Sequence, residues 1–186
     1  ATAYVALSEE YNGTAWSEGN DLNQARAFLS GMGTQTAGLA AGGEDGSSKY
    51  NNSEEYNGTS WTEGNNLNTA RSAMGSSDQS QTSGLVFGGN SGSVVDSNEA
   101  YNGTSWTEVA DLNTARSTLA GSGASSTSAL AFGGTPPVTA ITESWNGTAW
   151  TEVADLNQAR NNLASSGTQG AALAFGGHPP NLANTE

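Results

Sequence analysis

Apolar residues in this chain come in runs too short for helices, separated by Gly, Asn, Ser and Thr. In the stretch 115–153, Ala115 to Gly123 is thin, Ser-, Ala- and Gly-rich, with Leu119 its one large apolar residue. Ser128-Ala-Leu-Ala-Phe132 is a compact apolar run closed by Gly133-Gly134, and Thr139 to Trp145 follows. Asn146-Gly147 then precedes Ala149-Trp-Thr-Glu-Val153. This pattern predicts four strands, A to D, with the Asn-Gly pair as a two-residue type I′ turn between C and D. No window has a 3.6-residue apolar period, and the Leu-Asn-x-Ala-Arg joints are too short for helices. The chain is expected to be all-β, built of small antiparallel sheets.

The same pattern returns along the chain. A Tyr-Asn-Gly-Thr-x-Trp-type segment places Trp at 16, 61, 106 and 150, at spacings of 45, 45 and 44 residues. Such a period means one supersecondary unit copied in series. A single four-stranded sheet has too little apolar surface to stand alone. Radial stacking buries both faces of each sheet and gives each of Trp16, Trp61, Trp106 and Trp150 a place as a wedge between neighbours. Gly43, Gly89, Gly134 and Gly177, each the second of a Gly-Gly pair, are structural positions closing strand B. A thin strand A suits the crowded centre.

Composition narrows the function. The chain has 186 residues, 34% of them hydrophobic, and 25 glycines, so its interior must use small side chains at close contact. Against 18 acidic residues stand 5 basic ones, a net charge of −13. That charge repels phosphate backbones and anionic headgroups, so neither nucleic acid nor a membrane is an expected partner. Without cysteine, disulfides and thiolate metal sites are excluded. Asn-x-Ser/Thr sequons at Asn12, Asn51, Asn57, Asn102 and Asn146 read first as turn chemistry.

The series Arg116…Leu130-x-Phe132-Gly133-Gly134…Trp145…Trp150-x-Glu152…Leu156 resembles the kelch repeat, over almost the whole chain. Its aromatic-to-Trp interval is tighter than usual in that family, and its copies are fewer. The near-identical copies also look like repeat proteins of marine bacteria and their phages, including tail or fibre appendages. The resemblance implies a kelch-like β-propeller, and the four copies and their phase make it four-bladed, a single domain over 1–186 with repeats at about 19–64, 65–109 and 110–153. Residues 154–177 and 1–18 would then share a composite blade, the N-terminal C and D strands pairing with the C-terminal A and B strands to close the ring. One conflict is visible: Ala183-Asn-Thr-Glu186 and Ala6-Leu-Ser-Glu9 both match the start of strand C.

Recognition belongs where the copies differ. The B–C loops diverge most: residues 43–52, 89–94, 134–138 and 177–181. They place Asp45, Tyr50 and His178 among the candidate ligand-binding residues, although His178, beside Pro179-Pro180, reads most simply as a solvated loop residue. Arg26, Arg71, Arg116 and Arg160 form the sharpest constellation. Around a fourfold hub they would clamp a carboxylate or sulfate. The structural alternative pairs each with Glu18, Glu63, Glu108 and Glu152, or with Glu9, Glu54, Glu99 and Glu143. Asp21, Asp111 and Asp155, with Asn66 in the remaining copy, offer oxygen ligands for Ca²⁺, but no dense Asp-x-Asp run accompanies them and they are ordinary turn residues. No cofactor is expected.

Catalysis is not expected either. His178 is the single histidine, no nucleophile is placed beside it, and the copper site of kelch-type oxidases needs a cysteine and two histidines. The expected function is a non-catalytic interaction module, extracellular or on a virion surface, taking a glycan or protein partner on one propeller face. The alternative is a structural propeller that builds a larger assembly.

Overall fold

In the computed structural model, residues 4–77 and 79–178 are described. They form sixteen strands in five antiparallel sheets. A two-stranded sheet, β1 (Glu9–Tyr11) and β2 (Trp16–Glu18), comes first. Three four-stranded sheets follow in simple up-and-down order. The first holds β3 (Ser30–Thr34), β4 (Ala37–Ala41), β5 (Ser53–Tyr56) and β6 (Trp61–Glu63). The second holds β7 (Gly75–Ser76), β8 (Leu85–Phe87), β9 (Asn98–Tyr101) and β10 (Trp106–Val109). The third holds β11 (Ala120–Ser125), β12 (Ser128–Phe132), β13 (Thr142–Trp145) and β14 (Trp150–Glu152). The last sheet is two-stranded, β15 (Ala164–Thr168) with β16 (Ala171–Phe175).

The all-β expectation is met, and the arrangement is compatible with a β-propeller. First strands sit side by side, β3 against β7, β7 against β11 and β11 against β15. Residues of all four copies, including Ser30, Ser76, Gly121 and Ser165, line one narrow central cavity of about 170 Å³. Crowding there explains the thin strand A. A Cβ added at Gly121 would lie 2.3 Å from the Phe87 ring and 2.5 Å from the Ser76 carbonyl oxygen.

Apolar clusters fill the gaps between sheets. Leu39, Val86, Tyr101 and Trp106 join the first two full sheets, and Leu85, Phe87, Trp145 and Trp150 join the next two. Phe87 meets Trp150 edge-on, their centroids 5.1 Å apart. The tyrosine hydroxyls reach back as well: Tyr56 donates to Glu10 and Tyr101 to Glu55. Burial, with that carboxylate, holds the Tyr101 phenol well above its ordinary pKa.

Three expectations need correction. First, the Asn-Gly pair is not a two-residue turn. Tyr11 pairs with Trp16 and Trp145 with Trp150, leaving four-residue loops. Asn146 Oδ1 accepts the N–H groups of Thr148 and Ala149, at 2.9 and 3.0 Å, and the other three copies repeat this. The side chain of Asn closes the loop, and only Gly takes a positive φ, 91° at Gly147. Second, strand A begins at Ala120 rather than Ala115, because residues 116–119 turn at the hub mouth. Third, β1 does not pair with β16. The end sheets stay separate, so the expected composite blade is not formed. Its would-be core is correspondingly open: Trp16 is 67% exposed, whereas Trp106 and Trp150 are 5% and 6%. The conflicting segment 183–186 lies outside the described residues.

Candidate functional site

The Gly-Gly pairs shape the loop-bearing face. Both glycines have positive φ in all four copies, for example 66° and 110° at Gly133 and Gly134. Such angles turn the chain sharply outward after strand B. The second glycine donates across to the next copy: Gly43 N–H to the Arg71 carbonyl, Gly89 to Arg116 and Gly134 to Arg160, each at 2.9 Å. The first three B–C loops are thus anchored at their roots and diverge only beyond them.

The arginines that start each unit point inward. Arg71, Arg116 and Arg160 are at most 1% exposed, and Arg26 is 4%. Arg116 Nη2 donates to Glu143 Oε1 at 2.8 Å, and Nη1 to the Gly133 carbonyl at 2.9 Å and the Ile141 carbonyl at 2.6 Å. Arg71 bonds Glu99 and the Gly88 and Ser97 carbonyls in the same way. Arg26 Nη2 lies 3.0 Å from Glu54 as an ion pair without hydrogen-bond alignment. Arg160 donates to the Gly176 and Ala174 carbonyls. Burial pulls the guanidinium pKa down at Arg26, Arg71 and Arg116 while the glutamates hold it up. Arg71 and Arg116 thus staple strand B to strand C within their sheets, Arg26 pairs with strand C through Glu54, and Arg160 holds the end of strand B. Of the two expected readings of the arginines, this geometry fits the structural one, with Glu54, Glu99 and Glu143 as the partners of Arg26, Arg71 and Arg116.

The joint acids are likewise structural. Asp21, Asn66, Asp111 and Asp155 each accept the backbone N–H of a residue at the start of strand C, namely Ser8, Ser53, Asn98 and Thr142. Among the described residues no group of three metal-ligating side chains gathers.

The first two divergent loops face each other. In the first, Asp45 Oδ1 accepts the Ser47 and Ser48 N–H groups, both at 2.8 Å, and Oδ2 accepts the Tyr50 hydroxyl at 2.6 Å. Beside it, Glu44 Oε2 accepts from Lys49 Nζ at 2.8 Å and from the Ser72 hydroxyl at 2.7 Å. An open polar cleft of about 550 Å³ lies between this loop and the second, lined by Glu44, Ser47, Lys49, Ala70, Ser91 and Gly92. Asp45 and Tyr50 brace the cleft-forming loop. His178 belongs to the fourth loop, exposed, its backbone paired with Asn161. The candidate residues are therefore not brought to one point.

The Tyr50 hydroxyl and the loop amides hold Asp45 below the usual carboxylate range, and Lys49 and Ser72 do the same for Glu44. A carboxyl depressed in the folded state contributes order that is complete above its unfolded pKa and is lost as pH falls through the folded value. The first loop is therefore expected to loosen in acid, below the ordinary Glu and Asp values. Protection factors at the Ser47 and Ser48 amides, taken relative to the intrinsic exchange rate at each pH from 7 downward, should fall there, while those of the β12 amides stay high.

One element escaped sequence reasoning. Phe28, Ala73, Thr118 and Asn162, each two residues after a unit's Arg, have φ of 54°, 55°, 51° and 49°. Non-glycine residues rarely adopt this left-handed region. Ala73 N–H donates to the Phe28 carbonyl, Thr118 to Ala73 and Asn162 to Thr118, each at 2.9 Å. This ladder borders a cavity of about 250 Å³ lined by residues of all four copies, with Phe28 56% exposed. The four residue types share no chemistry, and their fixed distance from Arg was the one available signal.

In comparisons with known proteins, no family model matches the chain and no curated protein matches its sequence.

Proposed function

We propose that this chain is a non-catalytic interaction module, a four-bladed kelch-like propeller that binds a polar partner, glycan or protein, through its divergent-loop face. The observation that carries this reading is the cleft between the first two B–C loops. It lies where two otherwise repeated units differ, and its walls offer the Ser47 and Ser91 hydroxyls, the Glu44–Lys49 pair and loop backbone. Rigid repeated sheets below and variable polar loops above are the usual division of labour in recognition folds. Glu44 and Lys49 present both charges, which favours a neutral polar ligand such as a saccharide or a peptide backbone over a strongly anionic one. The likeness to appendage repeats supports display outside the cell or on a virion.

A glycan array followed by calorimetric titration tests the reading. Ser91→Trp, which fills the cleft, should abolish binding of any ligand found, and Thr148→Trp on the opposite face should leave it unchanged. Binding indifferent to Ser91→Trp would remove the cleft from consideration. A second reading, a structural propeller within a larger assembly, is favoured by the uncovered strand edges at the two ends of the described chain.

A further inference from the structure

Each gap between full sheets is filled in the same way, and one gap is not filled. Phe87 of β8 receives Trp150 from the following sheet. Its counterpart Phe132 on β12 instead borders a groove of about 220 Å³, with Leu130, Thr142 and Leu156 on one wall and Ala172 and Ala174 of β16 on the other. The copy register assigns this groove to the Trp of a C–D hairpin paired with β16. Among the described residues no strand bonds the outer edge of β16, and Leu173 and Phe175 are 50% and 40% exposed.

The chain also carries an unseated hairpin. β1–β2 is held on the first full sheet: Tyr56 donates to Glu10, Asn20 Nδ2 donates to the Thr59 carbonyl at 2.7 Å, and Asn23 donates to Glu54. Its other face leaves Trp16 67% and Tyr11 47% exposed among the described residues. In the intact sheets, strand B pairs with strand C as Ala129 with Trp145, Leu130 with Ser144, and Ala131 with Glu143. Transferred by the repeat, Ala172 would pair with Tyr11, Leu173 with Glu10, and Ala174 with Glu9. Trp61 Nε1 donates to Ser8 Oγ at 3.3 Å, and Thr142 is the equivalent of Ser8 in the unfilled groove.

We propose that the β1–β2 hairpin of a second copy of this chain completes the β15–β16 sheet. Its β1 adds antiparallel to β16, Trp16 enters the Phe132–Leu130–Leu156 groove, and the Trp16 indole N–H donates to Thr142 Oγ1. The surfaces are complementary but different, a heterologous contact that a reciprocal exchange of hairpins closes into a dimer. An exposed strand edge and an exposed indole in the same molecule are both satisfied by this one contact. The inference is independent of what the loop face binds.

Because the chain has no cysteine, disulfide trapping is clean. Chains carrying only Glu10→Cys are mixed with chains carrying only Leu173→Cys and oxidised. A Glu10→Cys to Leu173→Cys disulfide joining two chains, mapped by mass spectrometry, is the expected result. Light scattering should give the mass of two or more wild-type chains, and Trp16 emission should shift to the blue as concentration rises. Trp16→Ala should weaken association about tenfold or more without changing the far-ultraviolet dichroism, since Trp16 supports no sheet within its own chain. A doubly substituted chain that closes its disulfide internally and stays monomeric would overturn the proposal. So would a wild-type monomer whose Trp16 remains exposed at every concentration.

Discussion

Arg116→Ala should lower the unfolding free energy by about 3–5 kcal/mol, the usual cost of leaving one member of a buried ion pair behind. In a chain of this length that corresponds to a fall in Tm of about 6–20 °C. The loss is large because Arg116 has several partners. Its removal strands Glu143, which is fully buried and otherwise accepts only from Asn113, at 2.7 Å. The Gly133 and Ile141 carbonyls lose their shared donor as well. Arg116→Lys should recover little, since a point cation cannot span two carbonyls and a carboxylate. Replacing Arg116 and Glu143 together by apolar residues should not restore stability either, because the Gly133 carbonyl and the Asn113 main-chain N–H lose their partners. Thermal unfolding followed by calorimetry decides. A melting temperature within a degree of wild type for Arg116→Ala would reject the staple.

Trp150→Ala should cost a similar amount, about 3–5 kcal/mol. Its indole fills the space between the second and third full sheets, against Phe87 and Trp145. The rings that border it are fixed in β8 and β13, so the cavity has little means of collapse. Trp16→Ala removes the same residue type from the equivalent position, and within one chain it should cost only a few tenths of a kcal/mol, as other exposed substitutions do. Denaturant titration of the two variants side by side, at a concentration where the protein is monomeric, measures the difference. Equal losses would mean that Trp16 is buried after all.

Much of the architecture was legible because it is local. Ser128–Phe132 was readable as a strand from its compact apolar run and the Gly-Gly pair that stops it. The small residues of strand A announced close packing, and Gly121 shows why nothing larger fits. What stayed hidden is set by register and backbone. Glu99 and Glu108 face each other across β9 and β10, so both lie on the side that Arg71 can reach. Only the register places Glu99 at its fork. The Asn-Gly turn was misread because the capping by the Asn side chain outweighs the preference of that dipeptide for a two-residue reversal. The pairing of the two ends was overestimated for a related reason: matching sequence pattern makes β1 and β16 compatible partners without requiring that they meet. Of the candidate site, the divergent loops were legible as loops. The approach of the first two around Glu44, Lys49 and Ser91 was not, because it depends on how adjacent sheets are offset.

The ladder from Phe28 through Ala73 and Thr118 to Asn162 is made of main-chain atoms alone, and four unrelated side chains occupy its rungs. The hub therefore places almost no demand on what projects above it. A B–C loop is expected to be exchangeable between slots without disturbing that ladder. Diversity can accumulate on the rim at little cost to the ability of the chain to fold.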